Sequence, residues 1–203
     1  MIIHKNFTAI FLKRAYTDRY NTYFNKIERK IFMHQFQTYP QDLLELNPFE
    51  KIGKEWMLVT AGTEEKVNAL TASWGGMGVL WGKNVIFIFI RKSRYTKEFI
   101  DNNDTFSCTF FHKKYKNDLK YFGIVSGRQE DKFKTSGLNV NYSNGIPFVD
   151  EGNLVFLCKK MAAIPVTEAH FLLPELKEKW YSGSDEGNLH TLYVGEILDI
   201  LAR

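Results

Sequence analysis

The chain has 203 residues, 44% hydrophobic and 25% charged, a size and balance that suit one globular domain with a buried core rather than a disordered protein. No apolar run reaches the roughly 18 residues of a membrane span, so a soluble protein without a membrane partner is expected. The formal charge of +4 is no nucleic-acid footprint: residues 1–32 hold seven of the 27 bases and two of the 23 acids, which leaves 20 bases against 21 acids from Met33 on.

Residues 1–32 contain no Gly or Pro and no sustained alternation, and Lys13-Arg14 follow the apolar Ala9–Leu12 too soon for a secretory core. The change of pattern at Met33 predicts an N-terminal extension outside the domain, with Met33 as the initiator and one domain over 33–203. From there strands dominate. Trp56–Ala61 and Val67–Trp74 flank the turn-like Gly62-Thr63-Glu64-Glu65, a hairpin signal. Val85–Arg91 is a continuous apolar run, predicted as a strand buried on both faces. Thr105–Phe111 alternates, with Phe106, Cys108 and Phe110 on one side, and Leu154–Lys160 and Leu189–Leu201 are further strands, the last bent at Gly195.

Short helices punctuate them. One is predicted over Thr96–Asn102, with starter residues at Ser93 and Thr96. A second covers Asp118–Phe122, between Asn117 and Gly123 as caps. A third opens at the S-x-x-Q box Ser126–Gln129 and stops at Gly137. Strands joined by short helices without regular βαβ alternation predict a mainly β fold, an antiparallel barrel with helical decorations.

Several chemistries lack their residues. Cys108 and Cys158 lie in apolar strands with no C-x-x-C pair, which predicts buried thiols and a reduced, cytoplasmic setting. The five histidines have no metal-ligand spacing, and there is no G-x-S-x-G and no H-E-x-x-H. In Trp74–Gly82, Gly76-Met-Gly78-Val-Leu-Trp81 has Trp where a dinucleotide fingerprint needs a small residue. Gly78 is one residue too near Gly82-Lys83 for a phosphate loop. A protein without its own nucleophile or metal needs a cofactor for hard chemistry.

Three segments suit a planar anion. Asn68-Ala-Leu70-Thr71-Ala72-Ser73-Trp74 is a strand dense in polar groups, running into Gly75-Gly76. Arg91-Lys-Ser93-Arg94-Tyr95-Thr96 brings three bases and two hydroxyls to a helix start, where free N–H groups favour phosphate. Ser126-Gly127-Arg128-Gln-Glu-Asp131-Lys132 is another such start. A solvent-facing edge strand, a charged turn and a capped surface helix are the ordinary alternatives for the three.

In this order, and with Leu189-His190-Thr-Leu-Tyr-Val-Gly195-Glu196 at the end, the segments resemble the motifs of the flavin reductase-like, FMN-binding split-barrel family, most closely its flavoredoxin-type members. The resemblance runs from about Trp56 to Ile200. It implies a split β-barrel homodimer holding FMN near the subunit interface. Asn68–Trp74 would meet the isoalloxazine edge, largely through backbone groups. Arg91, Ser93, Arg94 and Thr96 would hold the phosphate, helped by Lys132 and Arg128, with Tyr95, Ser126 and Gly127 also among the cofactor-binding residues. His190 would stand near the flavin or the incoming reductant, against the alternative of a strand histidine satisfied at the dimer interface. Two activities fit: a reductase taking electrons from NADH or NADPH through FMN to an acceptor, and an electron carrier with tightly held FMN and no nicotinamide site.

Overall fold

Alternating apolar residues build the sheet that organises residues 33–203, the part of the chain that the computed structural model describes. The extension expected over residues 1–32 lies outside those residues. The strands are β1 (Gln37–Thr38), β2 (Met57–Gly62), β3 (Val67–Ala72), β4 (Gly75–Leu80), β5 (Lys83–Arg91), β6 (Thr105–Phe110), β7 (Val140–Ser143), β8 (Ile146–Val149), β9 (Leu154–Pro165) and β10 (His190–Ala202). Seven of them run in the order β3-β2-β6-β9-β10-β5-β4, β1 adds to β10, and β7–β8 form a separate hairpin; every pairing is antiparallel.

One face of this sheet closes around the main core. Met57, Val59 and Ala61 enter it from β2, Ile86, Ile88 and Ile90 from β5, Phe106, Cys108 and Phe110 from β6, and Tyr193 and Ile197 from β10. The period-2 geometry of a strand puts each set on one side. The other side of β2 is covered too: Leu58 packs with Leu119, Phe122, Leu138 and Val149 in a second cluster. The bend expected at Gly195 is there, as a register shift between Val194 and Gly195 in the β9–β10 ladder. Strand β9 runs five residues beyond its expected end at Lys160.

Strand β5 departs from expectation. Phe87 and Phe89 alternate with the core isoleucines and are only partly covered on the outer face, while Val85 on that same face is fully buried, so the run is buried on both faces at Val85 and fully on one face beyond it. The glycine-rich stretch is itself strand β4. A β-carbon on Gly75 would collide with the Phe87 carbonyl oxygen, so only glycine lets the two strands approach there.

The helices are α1 (Pro48–Glu50), α2 (Tyr95–Asn102), α3 (Lys116–Ile124), α4 (Lys132–Ser136) and α5 (Pro174–Tyr181). Three expected starts are corrected. Neither Ser93 nor Thr96 caps α2, whose N-cap position is Arg94, with no side-chain cap. Helix α3 contains both Asn117 and Gly123, because it continues a 3-10 turn over Lys113–Tyr115 and ends only where Val125 turns extended. No helix opens at Ser126. Its hydroxyl accepts from the Arg128 amide two residues on, a local turn, while the Asp131 carboxylate accepts from the amides of Phe133 and Lys134, each at 3.1 Å, and starts α4. A carboxylate satisfies two orphan amides and suits the positive end of the helix dipole, so it defines the terminus. The predicted stop at Gly137 holds.

Candidate functional site

The register of the central ladder makes His190 the cross-strand partner of Arg91. That pair joins the end of β5, and hence the start of α2, to the start of β10. Strand β3 meets the same place from the other side: the buried Asn68 amide donates to Thr96 Oγ1 at 3.0 Å. Gly127 lies against Asn68 so closely that a β-carbon there would collide with the amide. The Lys132 ammonium, only 3% exposed, donates to the carbonyls of Ala69 and Phe122, the latter at 3.3 Å. Arg94 Nη1 donates to the Gly123 carbonyl at 2.7 Å, and the Thr71 hydroxyl donates to the Leu119 carbonyl. The three sequence segments therefore converge on the start of α2.

The expected residues do not all stand alike. Leu70 and Ala72 point into the main core, so only their backbone groups can face a ligand. Ser73 and Trp74 follow the end of β3, and Trp74 is half-buried. The Tyr95 ring packs edge-on against Phe99 at 5.0 Å, with the Arg128 guanidinium 4.7 Å from its centre. Arg128 donates to the Ser93 carbonyl at 3.1 Å and pairs with Glu98. Arg91 and the Ser93 amide are engaged by the β9–β10 connection: Arg91 pairs with Asp185 and donates to the Trp180 carbonyl, and the Ser93 amide donates to Asn188 Oδ1 at 3.1 Å.

Charge decides the character of this place. Burial, with the neighbouring Arg91 charge, holds the Arg94 guanidinium below its ordinary value, partly offset by Asp185. Burial, and then the Arg94 charge, brings the Lys132 ammonium down to about 8. Neither cation has a carboxylate within ion-pair reach among the described residues; their partners are carbonyl oxygens. A half-buried and a buried cation that repel each other, neither in an ion pair among the described residues, fit an anion such as the FMN phosphate. Burial, then the charges of Arg91 and Arg94 with Asp185 opposing, holds the His190 imidazole at about 4, so it is uncharged at neutral pH.

An aromatic group completes the site. The Trp74 ring lies 5.1 Å from His190 and meets Trp180 edge-on at 5.0 Å, and the Tyr181 hydroxyl is 2.6 Å from His190 Nδ1. Trp180, Tyr181, Asp185, Asn188 and Glu98 belong to no motif in the sequence. A signal for α5 existed, since Pro174 sits at its first turn ahead of an apolar-spaced run ending in Trp180-Tyr181. A separate cleft of about 250 Å³ floored by Phe111 and Leu119 includes none of the expected site residues.

The architecture matches known proteins. Flavoredoxin from Methanosarcina acetivorans superposes with a TM-score of 0.57 at 21% identity, over 79% of this chain and 75% of that one. Flavoredoxin of Desulfovibrio vulgaris (Miyazaki F) gives 0.57 at 20%, over 82% and 77%. The FMN-binding domain of a flavin reductase-like enzyme from Shewanella baltica OS155 gives 0.58 at 16%, over 84% and 78%. Fold and site define a split β-barrel of the flavin reductase-like class. The family described as Flavin reductase like domain matches residues 49–203, and the chain belongs to it. It is also 30% identical over 119 residues to the Escherichia coli K12 protein YddH, a match that covers 56% of this chain and about three fifths (62%) of that relative's length.

Proposed function

We propose that the chain binds one FMN at this site and uses it as an oxidoreductase, taking electrons from NADH or NADPH and passing them to an acceptor. The observation that carries the reading is the pair of cations, half-buried Arg94 and buried Lys132, that converge on the start of α2 with no ion-paired carboxylate among the described residues. When bound, FMN supplies the electron chemistry that no side chain here possesses. Arg94 and Lys132 bind its phosphate, and Thr96 and Asn68 tie the α2 start to β3 so that both sides of the cradle keep one spacing. Backbone groups of Thr71–Trp74 face the ring system. His190 adds no third positive charge at neutral pH and is free to hydrogen-bond beside Trp74.

The reading includes a homodimer. The outer edge of β4 pairs with no described strand, and the partly covered Phe87 and Phe89 leave apolar surface of the kind a second copy covers. Anaerobic titration of the FMN-loaded protein with NADH and NADPH tests the activity. Bleaching of the flavin absorbance supports the reductase. A yellow protein inert to both overturns it in favour of a flavoredoxin-like carrier.

A further inference from the structure

The connection between β9 and β10 does more than cross the sheet: it brings a phenol to the candidate histidine. Tyr181 closes α5 and is 8% exposed, and its ring is held from three sides. Phe171 lies 5.4 Å away edge-on, the Arg91 guanidinium carbon 5.3 Å from the ring centre, and the His190 ring 5.5 Å away edge-on. Its neighbours are tied down as well. The Trp180 carbonyl accepts from Arg91 at 3.1 Å, Asp185 pairs with Arg91, and Asn188 bridges Asp185 and the Ser93 amide. The hydroxyl that results, 2.6 Å from Nδ1, is fixed in place.

The polarity of that bond follows from chemistry. A phenol is the better proton donor and a neutral imidazole nitrogen the better acceptor. The reverse arrangement would leave the phenolic hydrogen to find another acceptor in a buried place. We infer that Tyr181 is a positioning residue which donates to Nδ1 of His190 and fixes the imidazole as its Nε2–H tautomer. His190 is thereby a hydrogen-bond donor beside Trp74. A carboxylate at Nδ1 would select the opposite, an Nδ1–H imidazole with Nε2 as a base. The group it serves is therefore an acceptor such as a carbonyl oxygen, of the flavin or of the reductant's carboxamide, an assignment that rests on the flavin reading above.

The tautomer is measured directly on full-length protein labelled with 15N-histidine, by long-range proton–nitrogen spectra at pH 7, with His190→Gln to identify the signals. Wild type is expected to show an unprotonated Nδ1 and a protonated Nε2. Tyr181→Phe, which keeps the ring, is expected to move both nitrogens toward averaged values. A protonated Nδ1 in wild type overturns the inference, whether or not the variant folds, and so does a spectrum unchanged by Tyr181→Phe. The spectra need no flavin or reductant, so a protein that failed to bind FMN would leave this result standing. In a protein that does turn over NADH or NADPH, Tyr181→Phe should raise KM about fivefold, the value of one ordinary hydrogen bond, with kcat changed by less than about twofold. An equal fall in kcat with KM unmoved would show a role other than holding the reductant.

Discussion

Replacing Arg94 with alanine should weaken FMN binding by about tenfold to a hundredfold while leaving riboflavin almost untouched. A phosphate monoester carries about 1.5 to 2 negative charges at neutral pH, and one charge-assisted hydrogen bond to it contributes roughly 1.5–3 kcal/mol. Arg94 is half-buried, and Nη1 is already committed to the Gly123 carbonyl at 2.7 Å, so the fork is oriented before any ligand arrives and little entropy is lost on binding. The same bond means that Arg94→Ala also frees the end of α3, a loss common to both flavins. Comparing FMN with riboflavin by fluorescence-quench titration at one ionic strength therefore isolates the phosphate. Arg94→Lys should recover only part of the loss, because an ammonium lacks the planar fork. Equal losses for the two flavins, or none for either, would refute the reasoning.

The Lys132 ammonium at about 8 makes FMN affinity fall as pH rises from 8 to 9.5, since the phosphate there is fully ionised and favours the charged lysine; Lys132→Met should bind FMN more weakly at pH 7 and lose the slope in titrations across that range. His190, held at about 4 against an ordinary 6.5, binds fewer protons in the folded than in the unfolded chain between those values. Stability should therefore drop as pH falls through that window, by at most about 3 kcal/mol, and urea midpoints at pH 7 and 4.5 should show a smaller drop for His190→Gln. Gly127→Ala should destabilise by about 1–3 kcal/mol as its methyl displaces Asn68 from Thr96, whereas Gly123→Ala, whose β-carbon meets Thr71 at an ordinary 3.4 Å, should be neutral or stabilising in thermal melts. A chain beginning at Met33 should fold and bind FMN as the full chain does; loss of soluble protein or of flavin would place residues 1–32 inside the working unit.

The barrel was legible because its strands alternate: Phe106, Cys108 and Phe110 announced an inward face that the structure confirms. Helix starts were harder to read, since Ser126 and Asp131 both offer caps and only the competition between a hydroxyl and a carboxylate decides. The outer face of β5 misled because Phe87 and Phe89 are as apolar as the isoleucines beside them, and period alone does not say which face is covered. Within the site, Arg91, Arg94 and Thr96 stood out because they are neighbours in sequence. Tyr181 and Asp185 did not, since they reach Arg91 only through the antiparallel register that makes Arg91 and His190 partners across about a hundred residues, and Tyr181 reaches His190 only because the chain turns back after α5.

Whether the chain holds FMN through its phosphate is measured most directly by stoichiometric titration of the flavin-free full-length protein with FMN, followed by fluorescence and by 31P NMR. Quenching should saturate at one FMN per chain, with a phosphorus resonance shifted from that of free FMN. Unquenched fluorescence at excess protein, or binding with the phosphorus signal unmoved, would contradict it.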